Sequence, residues 1–129
     1  MYKQGVDRRR SLGQEAEAAA AEWLVRAGLS VVARNVRFPE GEIDLVCRER
    51  NCWVFVEVKC RQARWGDAPG AAVSWHKQRR LVRLAQHYLK WKGLGNVRCR
   101  FDVVAVTVAD DGHPAIRHLP AAFDASGWP

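Results

Sequence analysis

The chain is poor in the features that would staple, span or subdivide it. Its four cysteines, Cys47, Cys52, Cys60 and Cys99, form no C-x-x-C pair and no metal-finger spacing. That excludes the zinc-finger and C-x-x-C redox classes. Even a Cys47–Cys52 cross-link would repeat what a hairpin between those positions already does. Free cysteine in strands behaves as a small buried hydrophobe, so a reducing, cytoplasmic compartment is the expectation. No apolar run approaches the roughly 20 residues that a spanning helix needs. Arg8-Arg9-Arg10 is not followed by the apolar stretch of a secretory signal. Repeats, low-complexity tracts and long linkers are also missing. The 129 residues therefore read as a flexible basic arm over 1–10 and one domain over 11–129. Acid is the scarcer charge: 14 Asp and Glu against 21 Lys and Arg leave a formal net charge of +7. That surplus favours an anionic partner. Charge alone does not separate nucleic acid from a membrane surface, but with no spanning segment the expectation is a soluble nucleic-acid binder.

What is there centres on residues 42 to 61. Two apolar runs, Ile43 to Cys47 and Cys52 to Val58, flank the charged break Arg48-Glu49-Arg50-Asn51, the pattern of an antiparallel hairpin. Each run carries acid that a strand does not need. Asp44 sits between Ile43 and Leu45, and Glu57 between Val56 and Val58. Strand alternation puts Lys59 on the face of Glu57. Buried charges are usually paired, metal-bound or solvated. Two carboxylates and a lysine on neighbouring strands make a candidate divalent-metal site, and the plainer alternative is a Glu57–Lys59 ion pair. Val54, Val56 and Val58 face one way and Trp53 and Phe55 the other, which suits the middle of a sheet covered by helices.

Around this hairpin the chain alternates elements. Ser11 with Gln14 makes a capping box for a first helix, and Leu12, Ala16, Ala19, Ala20, Trp23, Leu24 and Ala27 form its apolar face. Gly28 is placed to end it. Glu15 and Glu17 border that face on opposite sides, each about 100° from its centre. Periodicity does not choose between them. Leu29 to Phe38 reads as a strand broken at Arg34 and Asn35, and Arg61 to Gly70 as a loop. Ser74 caps a second helix running to about Lys92, with a stripe of Leu81, Leu84, Ala85, Tyr88 and Leu89. Lys77 extends that stripe inward. Arg79, Arg83 and Lys90 run along the outer side, with Arg80 and His87 nearby. A solvated face is the plain reading, and phosphate binding the functional one. Val97 to Val108 is a strand whose Asp102 needs Arg100 or Arg98 to balance it. Ala115 to Leu119 forms a short edge strand, and Phe123 and Trp128 pack down. Trp65, Trp75 and Trp91 serve as core, as base-stacking platforms or as an adaptor surface for a protein partner.

An acid on the first helix, then G-E-I-D-L-V, then V-F-V-E-V-K-C-R resembles the PD-(D/E)XK nuclease superfamily. More narrowly, the chain resembles the YraN-type family of small, largely uncharacterised endonuclease-like proteins. The likeness extends over Gly13 to Leu24, Gly28, Asn35, Lys77 and Arg100-Phe101-Asp102-Val103-Val104. It implies an α/β fold with a restriction-endonuclease-like α-β-β-β-α-β core, a mixed central sheet flanked by helices. It also implies a metal site at the strand ends. Asp44, Glu57 and the Val58 carbonyl would hold the metal, Lys59 would position or activate water, and Glu17 would contribute from the helix. Lys77 matches a basic position of the family, and Arg61 would contact phosphate. Ala16 stands before Glu17 where the family usually has glycine.

The chemistry is consistent with that assignment. Mg²⁺ or Mn²⁺ takes carboxylate and carbonyl oxygens and keeps several waters. A lysine stays protonated unless strongly desolvated, so Lys59 suits stabilisation of developing charge better than general-base work. The expectation is a metal-dependent endonuclease acting on DNA, with branched or irregular structures as an analogy to dimeric junction resolvases of the same fold. The alternatives are a nucleic-acid-binding domain with little cleavage, or a nuclease that needs a protein partner. A homodimer is open in each case.

Overall fold

A computed structural model of the chain describes residues 8–62 and 73–125. Among these residues the order is helix α1 (Arg8–Arg26), strands β1 (Ser30–Phe38), β2 (Gly41–Glu49) and β3 (Cys52–Gln62), helix α2 (Trp75–Trp91), and strands β4 (Arg98–Val108) and β5 (Pro114–Phe123). The strands form one sheet in the order β1-β2-β3-β4-β5. Only β3 and β4 run parallel, joined through α2; the other neighbours are antiparallel. The expected α-β-β-β-α-β order and mixed, helix-flanked sheet are therefore borne out, with β5 added at the edge.

The sheet separates two apolar layers. Ala16, Ala20, Ala21 and Leu24 of α1 pack on Leu45, Cys47, Val54, Val56, Val104 and Val106. Leu81, Val82, Leu84, Ala85 and Tyr88 of α2 pack on Ile43, Val46, Trp53, Phe55 and Phe101. Val54 and Val56 thus face α1, and Trp53 and Phe55 face α2, as the alternation requires. A central strand apolar on both faces needs such double cover to remove it from water.

Several local expectations change. Helix α1 begins at Arg8, three residues ahead of the Ser11 cap. Trp23 is 40% exposed, and Ala21 takes the inward place instead. Cys99 is exposed rather than buried, and all four cysteines are free. The capping of α2 by Ser74 holds: its Oγ accepts the Lys77 N–H at 3.2 Å. Strand β5 is longer than Ala115–Leu119, because Asp102 ties its far end down. The buried Asp102 carboxylate accepts from Arg100 Nε and Nη2 (3.0 and 3.1 Å) and from the Ala121 N–H (2.9 Å), and lies 2.8 Å from His118 Nε2. Phe123 packs down as expected, stacked on Phe101 at 5.3 Å. Trp65 and Trp128 lie outside the described residues. Among those residues no helix is long and apolar enough to cross a membrane.

Candidate active site

The site begins where β2 and β3 stop pairing. Their ladder runs from Glu49 opposite Cys52 to Leu45 opposite Val56 and then ends. Beyond it the Asp44 carboxylate, not a main-chain carbonyl, accepts the Val58 N–H at 2.8 Å. Strand alternation also breaks here: Ile43 and Leu45, two residues apart, join opposite layers. The strands part around a carboxylate that takes up one main-chain donor. Leaving that main-chain donor unmatched would cost about 1–3 kcal/mol.

The gap opens on the α2 face into a cavity of about 210 Å³ lined by Glu42, Asp44, Glu57, Lys77, Arg80, Leu81 and Leu84. Three acids come from the two hairpin strands, and two cations come from the first turns of α2. Gly41 permits that approach. Its φ is +152°, and a Cβ there would sit 3.1 Å from Arg80 Cδ and 3.5 Å from Leu84 Cδ1. A side chain at position 41 would thus push against the arginine that faces the acids.

Glu17 joins the acids from the opposite helix. Its neighbour is Asn35, which takes the left-handed conformation (φ 52°) within β1, a strand that runs unbroken through the expected break at Arg34 and Asn35. With its amide nitrogen turned toward the acids, Asn35 donates to Glu17 Oε1 at 2.8 Å and to Glu42 Oε2 at 2.9 Å. One neutral donor thereby bridges two like charges. The structure chooses between Glu15 and Glu17: Glu15 is exposed, and Glu17 is half-buried against this network.

Burial and mutual repulsion raise the acids' proton affinity. Asp44 is pushed up to about 7, first by desolvation and then by Glu57; the Val58 N–H opposes the shift. Glu57 is also raised by burial, opposed by Lys77, Arg80 and Lys59. Glu17 is raised by burial and by Glu42, opposed by the Asn35 hydrogen bond. Coupled carboxylates of this kind gain most when a cation joins them.

The sequence expectations are thus partly assembled. Asp44, Glu57, Glu17 and Lys77 come together, with Lys59 close enough to act on Glu57. Of the α2 arginines, Arg80 lines the cavity. Arg79 lies instead over the Trp75 ring at 4.6 Å, and Arg83 is exposed outside the cavity. Arg61 Nη1 donates to the Cys60 carbonyl at 3.0 Å. Two participants were missed. Glu42 lies two residues before Asp44, so period-two alternation was the available signal. Asn35 signalled itself only as a polar break in a valine-rich strand.

The donor set suits a hard cation, with carboxylate oxygens and neither sulfur nor imidazole. Among the described residues no three His, Cys, Asp or Glu side chains are gathered tightly enough to ligate one ion. Mg²⁺ does not require three, since it is often held by one or two carboxylates together with water and phosphate. Asp44 and Glu57 fit that requirement.

The fold and site define an α/β protein with a mixed five-stranded sheet between helices and an acid cluster where its central strands part. The profile of "Uncharacterised protein family UPF0102" matches residues 16–106, and the chain belongs to that YraN-type family. A UPF0102 protein of Symbiobacterium thermophilum is 48% identical over 116 residues, 90% of this chain and 98% of that one. Another, from Anaeromyxobacter dehalogenans, is 45% identical over 123 residues, 95% and 91% of the two chains. Among solved structures, Pyrococcus furiosus SfsA in complex with Ca²⁺ aligns with a TM-score of 0.43 and 17% identity. The match covers 86% of this chain and 64% of that chain.

Proposed function

We propose that this protein is a metal-dependent endonuclease of the PD-(D/E)XK type that hydrolyses phosphodiester bonds in DNA. The observation that carries this reading is the Asp44–Val58 hydrogen bond. It brings Asp44 beside Glu57 at the mouth of a cavity whose other wall is Lys77 and Arg80.

In this reading Asp44, Glu57 and the Val58 carbonyl hold Mg²⁺ or Mn²⁺. When bound, the cation polarises a phosphoryl oxygen and lowers the pKa of water. Glu17, held by Asn35, orients water from the helix side. Lys59 stabilises charge developing on the phosphoryl oxygens. Lys77 and Arg80 hold the flanking phosphate as cations, with Arg61, Arg79 and Arg83 as further backbone contacts. Water adds to phosphorus as the P–O bond breaks, and its proton passes to the leaving oxygen or to solvent. Irregular DNA, such as a branch or flap, suits a site set at strand ends rather than on a flat face. The protein is read as acting in the cytoplasm, alone or as a homodimer.

A second reading is a nucleic-acid-binding domain with little cleavage of its own, or a nuclease completed by a protein partner. The absence among the described residues of three gathered metal-binding side chains favours it.

The test is cleavage of labelled junction, flap, single-stranded and duplex DNA with Mg²⁺ or Mn²⁺. Identically purified Asp44→Asn and Lys59→Ala proteins are the controls. Cutting by wild type that both variants lose supports the nuclease. Binding without cutting of any substrate favours the second reading. Equal cutting by all three proteins refutes the site.

A further inference from the structure

A second cavity, of about 460 Å³, lies between β1 and the last turn of α2. Its walls include Val36, Phe38, Tyr88 and Trp91, and its charged residues are Arg37 and Lys92. No acid lines it. Trp91 is 63% exposed, far more than an indole with a packing role needs. Its ring lies edge-on to Phe38 at 6.1 Å and to Tyr88 at 5.8 Å, and Lys92 Nζ stands 4.7 Å from its centroid. Phe38 in turn is stacked on His87 at 4.0 Å. Aromatic rings lined by two cations are the chemistry that takes a flat base with an attached phosphate.

An ion pair links this groove to the acid cavity. Arg37 on its rim pairs with Glu42 of the site at 3.8 Å. Leu84, the last α2 residue of the acid cavity, precedes Trp91 by two helical turns, about 10 Å along the axis. That length corresponds to about three stacked nucleotides at roughly 3.4 Å each, and to fewer in an extended strand. Inside a duplex both faces of every base are already stacked, and a groove of this kind has nothing to take.

We infer that the Phe38–Trp91 groove binds an unpaired base of the nucleic acid whose phosphodiester lies at Asp44 and Glu57. The inference rests on the nuclease reading for that placement and adds the substrate class: DNA with an unpaired nucleotide two or three positions from the bond cut. Trp91 supplies the stacking surface, and Arg37 and Lys92 hold the adjoining phosphates.

The experiment is fluorescence anisotropy of the full chain, in Ca²⁺, with one labelled strand presented alone, in a perfect duplex and in a duplex with a three-nucleotide gap. Trp91→Ala is expected to weaken binding to the single strand and the gapped duplex by about fivefold to a hundredfold. Its affinity for perfect duplex should change less than twofold, and Trp91→Phe should keep most of the wild-type preference. Should Trp91→Ala fail to fold, an abasic nucleotide walked along the strand tests wild type instead. A loss confined to one position supports the groove, and a uniform response overturns it. Equal losses on all substrates, or none, overturn it as well. So does a wild-type dimer that Trp91→Ala converts to monomer, because a second copy would then cover the groove. The two readings fail separately. Asp44-dependent cutting with no effect of Trp91→Ala removes the groove and leaves the site. A Trp91-dependent preference without cutting keeps the groove and removes a nuclease that cuts alone.

Discussion

The Asp44 carboxylate accepts the main-chain N–H of Val58, the residue between Glu57 and Lys59, at 2.8 Å. One side chain thus sets both the end of the β2–β3 ladder and the position of the E-x-K segment. Asp44→Asn keeps an acceptor oxygen and should fold like wild type while losing cleavage by at least about a hundredfold. Asp44→Ala should lose cleavage equally and also about 1–3 kcal/mol of stability, because the Val58 donor is left unmatched. Urea denaturation of both variants separates the two effects. Equal stability of the two would contradict this role for the hydrogen bond.

Asp44 also makes metal-free stability depend on pH. Its pKa rises from 3.8 to about 7 in the folded chain, so the folded state binds the proton more tightly than the unfolded state. This group's contribution is then fully present below about pH 4 and lost as pH climbs through 7. In EDTA, wild type should lose on the order of 2 kcal/mol between pH 5 and 8 through this group, less than the bare shift implies because the site is partly open. Asp44→Asn should flatten that slope. Added Mg²⁺ or Mn²⁺ should raise the melting temperature more at pH 8 than at pH 6, since the cation competes with the proton. A wild-type slope retained in Asp44→Asn would refute the assignment.

Asn35 bridges Glu17 and Glu42 with one amide. Asn35→Asp replaces the donor with a further negative charge while suiting the same left-handed backbone. It should destabilise the metal-free protein by about 1–3 kcal/mol, with much of the loss restored by millimolar divalent cation. Thermal melts with and without Mg²⁺ measure this, and a loss that the cation leaves untouched would count against a metal centre beside Asn35.

Asp102 is the buried acid with no part in the site. Burial alone would raise its pKa, but His118, Arg100 and the Ala121 N–H more than offset that, and the net direction is downward. Its contribution is present above the ordinary aspartate range and is lost as pH falls through the lowered folded value. Asp102→Asn should cost about 3 kcal/mol, since it leaves Arg100 without its bidentate partner. The divalent-cation response of the folded fraction should stay as in wild type. A changed response would tie this network to the site.

Much of this was legible in the chain. Periodicity placed β2 and α2 within about two residues, because each buries a face whose side chains recur at the period of its backbone, while β3 runs on through Arg61 and Gln62 into the span read as a loop. The two-sided apolar run Trp53 to Val56 marked the centre of the sheet for the same reason. The misplaced acids Asp44 and Glu57 marked the site, since unpaired charge is excluded from a core. Periodicity could not choose between Glu15 and Glu17, which border the apolar stripe symmetrically; the family resemblance pointed to Glu17, and the arrival of Asn35 and Glu42 across the sheet sets Glu17 apart physically. Nor could it tell Arg80 from Arg79 and Arg83, because they differ by where α2 lies over Gly41. The end of the β2–β3 ladder beside Asp44 and the groove under Trp91 are likewise tertiary facts. Each depends on residues far apart in sequence, and a one-dimensional pattern carries no distance between them.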